Sequence, residues 1–162
     1  MKTRGFSLIE LLVVISIIAV ITAVGMTNFL GARERARDAR RKQELVQLRN
    51  ALRLYYNDYR SYPGTDSDTY ILGCGIAGTT KCPGSCAGGG FAAGGVDGCG
   101  SVYMRTLPTE YTYKRHPNKP ADTDDFLLSV TLENASDGDV TTTQTRCGIS
   151  PAAASTYVVC AD

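Results

Sequence analysis

The chain has 162 residues, room for about one compact domain plus an extension, and a formal net charge of +1 that gives no global field to attract nucleic acid. Its hydrophobic fraction of 43% is ordinary for a globular protein. That average hides an asymmetry, because most of the long aliphatic residues sit in the first thirty positions.

Taken in chain order, the first element is an apolar run. From Leu11 to Leu30 no residue is charged, and about twenty residues at helical rise span roughly the 30 Å of a bilayer's hydrocarbon. Lys2 and Arg4 precede the run, and one acid, Glu10, stands at its start. A mixed charged run follows from Arg33 to Glu44 with no proline to stop the helix. Its arginines, with Glu34, Asp38 and Glu44, read as a solvated face with some pairing along the helix or between copies. Next, Leu45, Leu48, Leu52, Tyr55, Tyr56 and Tyr59 fall on one helical face, with Gln47, Arg49, Asn50, Arg53, Asn57 and Asp58 opposite. The tyrosines read as core with hydroxyls at the edge. Pro63-Gly64 ends the helix, which is expected from about Phe6 to about Tyr59.

Residues 73–100 are rich in glycine and cysteine and read as a loop with too few bulky side chains for a core of its own. All six cysteines, Cys74, Cys82, Cys86, Cys99, Cys147 and Cys160, lie in the second part of the chain. An even number in such a region points to disulfides and an oxidising, extracytoplasmic compartment. Zinc is the weaker reading: Cys82-x-x-x-Cys86 has a tolerable spacing, but the other cysteines are scattered and His116 is the only histidine. Ser101 to Leu107 is expected to form a short helical turn before Pro108. Tyr111–Lys114, Phe126–Leu132 and Thr156–Cys160 read as strands, the first two joined by a hairpin around His116–Asp124. The expected fold class is α+β: a long N-terminal helix, its first half membrane-spanning, packed against a small antiparallel, disulfide-containing β-sheet head.

Three readings compete for the start. A secretory signal peptide could be cut near Ala23-Val-Gly25, but Glu10 opposes insertion and the run is long for that purpose. A plain single-span anchor tolerates Glu10 near one end of the span. The third reading takes all the residues together. Arg4-Gly-Phe-Ser-Leu-Ile-Glu-Leu-Leu-Val-Val-Ile resembles the cleavage and methylation site of type IV pilins and pseudopilins, and Tyr-Tyr-Asn-Asp-Tyr-Arg-Ser-Tyr-Pro, ending at Pro63, is similar to a common helix ending in that family.

The resemblance implies three parts: a leader at 1–5, a long helix at 6–60 whose 6–30 portion spans the membrane and later forms a filament core, and a head at 61–162. It implies cleavage between Gly5 and Phe6 by a prepilin peptidase, N-methylation of Phe6, and pairing of Glu10 with the terminal ammonium of a neighbouring subunit. The implied partners are identical or homologous subunits, the peptidase, an inner-membrane assembly platform and, before assembly, membrane lipid; no specific nucleic acid is expected. The implied location is the inner (cytoplasmic) membrane, single-pass with the head outside, and then an extracellular or periplasmic filament. The six basic residues after the span oppose that orientation by the positive-inside tendency, while the cysteines favour it. Many pilins carry a proline in the apolar half of the helix; here Gly25 is the weak point, at about 1 kcal/mol relative to alanine.

The order Leu107-Pro108, Tyr111-Thr-Tyr113, Asp125-Phe-Leu-Leu-Ser, Asp137-Gly-Asp139 is similar to the major pseudopilin of type II secretion, a group that binds calcium in this region. No cofactor is expected from the residues themselves, which read as a plain polar turn between strands; the resemblance makes Glu133, Asn134, Asp137 and Asp139 candidate calcium ligands. The long cysteine insertion and tail look instead like a type IV pilin head with a disulfide-closed C-terminal loop, which implies Cys147–Cys160; the other four cysteines allow three pairings. The implied function is a structural subunit of a type IV pilus or pilus-like filament. The alternatives are a type II secretion pseudopilin driving protein export and a non-polymerising membrane-tethered binding module. Catalysis is not expected: His116 stands beside a proline with no nucleophile motif, and the glycines at 88–90 form no phosphate loop.

Overall fold

The structure is a computed structural model that describes residues 5–66, 70–74, 78–82, 90–93, 100–115, 123–149 and 154–161, apart from the side chains of 24–28 and of residue 70. Helix α1 runs Leu8–Tyr59. The chain divides into two compact units, Met1–Arg37 and Asp38–Asp162. The division falls inside α1 rather than at residue 60, because the apolar stripe beyond Asp38 is part of the head's own core.

In the first unit the large apolar side chains from Phe6 to Ile21 are between 47% and 80% exposed, on every side of the helix. A helix apolar all round needs a partner it does not find within itself. Ser16 Oγ donates to the Leu12 carbonyl at 2.8 Å and Thr22 Oγ1 to the Ile18 carbonyl at 2.7 Å, so both hydroxyls are satisfied on their own helix. Among the described residues no helix is long and apolar enough to cross a membrane. Two glycines, Gly25 and Gly31, fall inside α1, so the helix has two weak points rather than one.

The second unit is built on the α1 stripe. Leu45, Leu48, Leu52 and Tyr55 are fully buried, as their spacing requires, and Tyr59 lies at the edge, stacked on Tyr55. The helix ends at Arg60, which takes the left-handed conformation (φ 55°) that usually falls to glycine and donates its N–H to the Tyr56 carbonyl. Strands β5 (Thr112–Arg115), β6 (Phe126–Thr131) and β7 (Thr156–Cys160) form an antiparallel sheet with β6 central. The two-residue period of β6 turns Phe126, Leu128 and Val130 into the core with the α1 stripe. The three strands are those expected; the connection through residues 116–122, His116 included, lies outside the described residues. Two short strands, β1 (Thr65–Asp66) and β2 (Tyr70–Ile71), pair with each other beside β5.

Three expectations need correction. Ser101–Met104 is not a helical turn but strand β4, paired antiparallel with β3, Phe91–Ala93; Val102 and Tyr103 suit a strand better than a helix. Residues 73–100 are therefore not all loop: Phe91, Ala92 and Ala93 are buried, and Phe91 packs between Tyr55 and Tyr103. The tail after Asp139 is not simply a loop, because Gly138–Arg146 forms helix α2. Gly78 is a position that requires glycine. Its φ is +63°, and a Cβ there would run into the Tyr55 hydroxyl.

The head carries a cluster of inward tyrosines whose ionisation opposes folding. Burial pushes Tyr55 up to about 12, with Tyr59 adding to the shift. Burial likewise raises Tyr62, and raises Tyr113 well above its ordinary value. The Tyr113 hydroxyl donates to the Pro63 carbonyl at 2.7 Å. A raised pKa contributes stability that is intact below the unfolded value, near 10, and is lost as pH climbs towards the folded one. Each ring held protonated loses about 1.4 kcal/mol of stability per pH unit over that window. The head should therefore unfold cooperatively above pH ~10, with tyrosinate absorbance rising in step with loss of circular dichroism. A gradual absorbance rise with the dichroism intact would contradict the burial.

Candidate functional site

The N-terminal segment opens with Gly5 and Phe6 outside the helix and exposed. A Cβ at Gly5 would meet nothing within 4 Å, so nothing in the chain's own packing demands glycine there. The Ser7 carbonyl accepts the Glu10 and Leu11 amides at 3.1 and 3.3 Å, starting α1. In return, Glu10 Oε2 accepts the Ser7 N–H at 2.9 Å. That is the reach-back half of a Ser-x-x-Glu capping box. It places a carboxylate at the positive end of the helix dipole. Glu10 is thus held by a backbone donor and remains exposed among apolar neighbours.

A second polar cluster lies in the other unit, where α1 meets the segment after β6. Asp38, 2% exposed, accepts the Glu133 N–H on Oδ1 and the Asn134 N–H on Oδ2, both at 2.9 Å. Arg41 donates to Asp38 at 3.1 Å and pairs with Glu110 and Glu133 at 3.0 Å each. Lys42 Nζ sits 2.7 Å from both Asp137 oxygens and 2.7 Å from Asp139 Oδ2. Burial alone would lower the Lys42 pKa, but its hydrogen bonds to Asp137 and Asp139 outweigh that and raise it. The Lys42 bond in turn holds the Asp137 carboxyl below its ordinary range. Asp137 also caps α2, accepting the Asp139 N–H at 3.0 Å.

Asp38, Arg41 and Lys42 are therefore not a solvated charge run, whereas Arg40–Glu44, at 2.8 Å, is a surface pair along the helix. The missed signal was phase. Positions 38, 41, 45, 48, 52 and 55 step by three and four, so Asp38 stands on the same face as the buried stripe.

The four expected calcium ligands do not converge. The Glu133 carboxylate goes to Arg41, Asn134 Oδ1 accepts the Ser136 N–H at 3.1 Å, and Asp137 and Asp139 close on an ammonium. As arranged, these residues do not fit a divalent metal, and among the described residues no group of three or more His, Cys, Asp or Glu could hold one. Cys147 at the end of α2 is bonded to Cys160 at the end of β7, as the resemblance implied, and Cys74 to Cys82. Closing the Cys147–Cys160 loop, a sequence separation of 13, contributes around 3 kcal/mol in the chain-entropy picture. Cys86 and Cys99 lie outside the described residues. A cleft of about 300 Å³ on the sheet is lined by Glu110, Thr112, Ser129, Thr131 and Thr156, and its one carboxylate is engaged by Arg41.

Residues 1–26 match the family model described as the prokaryotic N-terminal methylation motif. The chain is 40% identical over 65 residues to type II secretion system core protein G of Escherichia coli, covering 40% of this chain and 45% of that protein. It is 35% identical over 71 residues to core protein G of Vibrio cholerae, covering 44% and 49%. It is 39% identical over 72 residues to the type IV wide pilus major component PilA4 of Thermus thermophilus, covering 44% and 55%. The chain thus spans about half the length of these relatives. No solved structure matches it significantly.

Proposed function

We propose that this chain, which carries the N-terminal segment of the type IV pilin and pseudopilin superfamily, is the structural subunit of a type IV pilus or pilus-like filament. The observation that carries the reading is the pairing of one acid, Glu10, with an α1 surface apolar on every side. In a membrane, the run from Leu11 to Leu30 anchors the subunit as a single span with the head outside. In a filament, the same side chains bury against neighbouring copies at about 25 cal/mol per Å² of apolar area. Membrane lipid and neighbouring subunits are thus successive partners of one surface.

Processing prepares the exchange. A prepilin peptidase cuts between Gly5 and Phe6, where the backbone lies ahead of the helix and is open to approach. The cut creates the Phe6 amine, which stays basic after methylation and offers Glu10 of an adjacent subunit a charged partner. An assembly platform in the inner membrane would deliver subunits one at a time. The chain's work is mechanical, through polymerisation, and needs no catalytic group. The relatives named core protein G favour a secretion pseudopilus as the second reading; the disulfide-closed segment Cys147–Cys160 favours a pilus.

Mass spectrometry of the mature N-terminus tests this. The expected species begins at methylated Phe6, and Gly5→Val blocks its formation. A species beginning after Gly25, or one retaining residues 1–5 in cells that contain the peptidase, would overturn the reading.

A further inference from the structure

We infer that the turn from Asp137 to Asp139 is a cation site whose cation is the chain's own Lys42 ammonium, standing where a divalent metal would otherwise balance the two carboxylates. Three carboxylate oxygens lie 2.7 Å from one nitrogen, which is one more than a single ion pair supplies. The ammonium also faces the Tyr157 ring at 5.4 Å, so the aromatic closes another side of it. The Lys42 side chain is only 17% exposed, little enough that it is held in place rather than sampling solvent.

A lysine suits this position for three reasons. Its ammonium is a compact point charge with three donors, matching three convergent oxygens. It is delivered by α1, so forming the site ties the helix to the cap of α2, some 95 residues away in sequence. And it is permanently tethered, whereas a calcium ion would be bound in proportion to its concentration. With Asn134 and Glu133 turned to other partners, Asp137 and Asp139 alone would hold calcium only weakly, water supplying the rest of its oxygens. The head would then hold its fold at any divalent ion concentration.

Thermal unfolding of the full chain in detergent tests this, with Ca²⁺ or a chelator present. The wild-type protein should melt at the same temperature, within about 1 °C, in millimolar Ca²⁺ and in chelator. Lys42→Met should melt lower and become cation-responsive, regaining part of the loss when Ca²⁺ is added at the millimolar levels typical of weak sites. Lys42→Met/Asp139→Asn should lose most of that response, since one of the two carboxylates is gone. A wild-type protein that melts several degrees lower in chelator would overturn the inference, and that arm decides even if Lys42→Met does not fold. A folded Lys42→Met protein indifferent to Ca²⁺ would also overturn it.

Discussion

Replacing Glu10 by alanine is expected to leave the head's thermal unfolding unchanged while reducing filament incorporation by two to three orders of magnitude. The head's core begins at Asp38 and contains no residue from the apolar segment, so its melting has no reason to move. Assembly is different. Once the apolar flanks are packed between copies, a terminal ammonium left without its acid is a buried unpaired charge, at a cost of about 3–4 kcal/mol. That corresponds to roughly a 10²–10³-fold change in the subunit's partition into polymer. Glu10→Gln separates two roles. Glutamine can still accept the Ser7 N–H, since capping boxes use either residue, so it should preserve the start of α1. It carries no charge and should not restore incorporation. Counting subunits in sheared filaments against membrane-held chain reads the outcome. Wild-type incorporation by both variants would mean a tether that does not polymerise through this residue. Incorporation by Gln but not Ala would mean that the carboxylate serves only as a helix cap.

Much of the architecture could be read before any coordinates because it depends on periodicity. The steps of three and four from Leu45 to Tyr55 gave the buried face of α1, and Pro63-Gly64 marked its end to within a few residues, the chain leaving the helix at Arg60. The alternation in β6 and the β-branched content of β7 gave two strands of the sheet. What could not be read depends on contacts distant in sequence. Phe91-Ala-Ala stands among glycines and has no local reason to be a strand. It becomes one because Phe91 fills the space between Tyr55 and Tyr103, which come from α1 and β4. Helix α2 is still less legible. Its sequence, Gly-Asp-Val-Thr-Thr-Thr-Gln-Thr-Arg, is poor in helix formers. It is held by the Asp137 cap and by the disulfide at Cys147, while its threonine hydroxyls are satisfied on carbonyls four residues earlier. Local propensity is outweighed there by tertiary restraint.

The site divides in the same way. Gly5, Phe6 and Glu10 could be picked out because they lie in a linear pattern, inside the residues that match the N-terminal methylation motif. Asp38 and Lys42 were not, because a charged residue in a charged run looks solvated until the loop that covers it is known. The surroundings of the candidate calcium ligands were hidden for the same reason. Their oxygens are suitable in kind, but the neighbours that turn them away, Arg41 and Lys42, come from a helix almost a hundred residues earlier.

Asp38→Ala is expected to be the most destabilising single substitution of a charged residue in the head, costing about 3–5 kcal/mol. Three donors lose their acceptor at once: the Glu133 and Asn134 amides and the Arg41 guanidinium. Hydrogen bonds to a charged acceptor contribute about 1.5–3 kcal/mol each, and water can recover part of that for the half-exposed Asn134. At about 3–5 °C per kcal/mol for a unit of this size, the melting temperature should fall by roughly 10–20 °C. Arg40→Ala is the matched control. It removes an exposed pair on the same helix and should cost no more than about 0.5 kcal/mol. Hydrogen exchange locates the effect, because Asp38→Ala should deprotect the amides of Glu133 and Asn134 before the central strand β6 opens. The cost also bears on assembly. Asp38 clamps the start of the head's share of α1 to the segment after β6, within the second unit. Loosening it should let the helix fray from the head at temperatures where the sheet is still intact. If Asp38→Ala melts within a degree or two of wild type, the two amides have found water as good a partner as the carboxylate, and the clamp is not what joins α1 to the segment after β6.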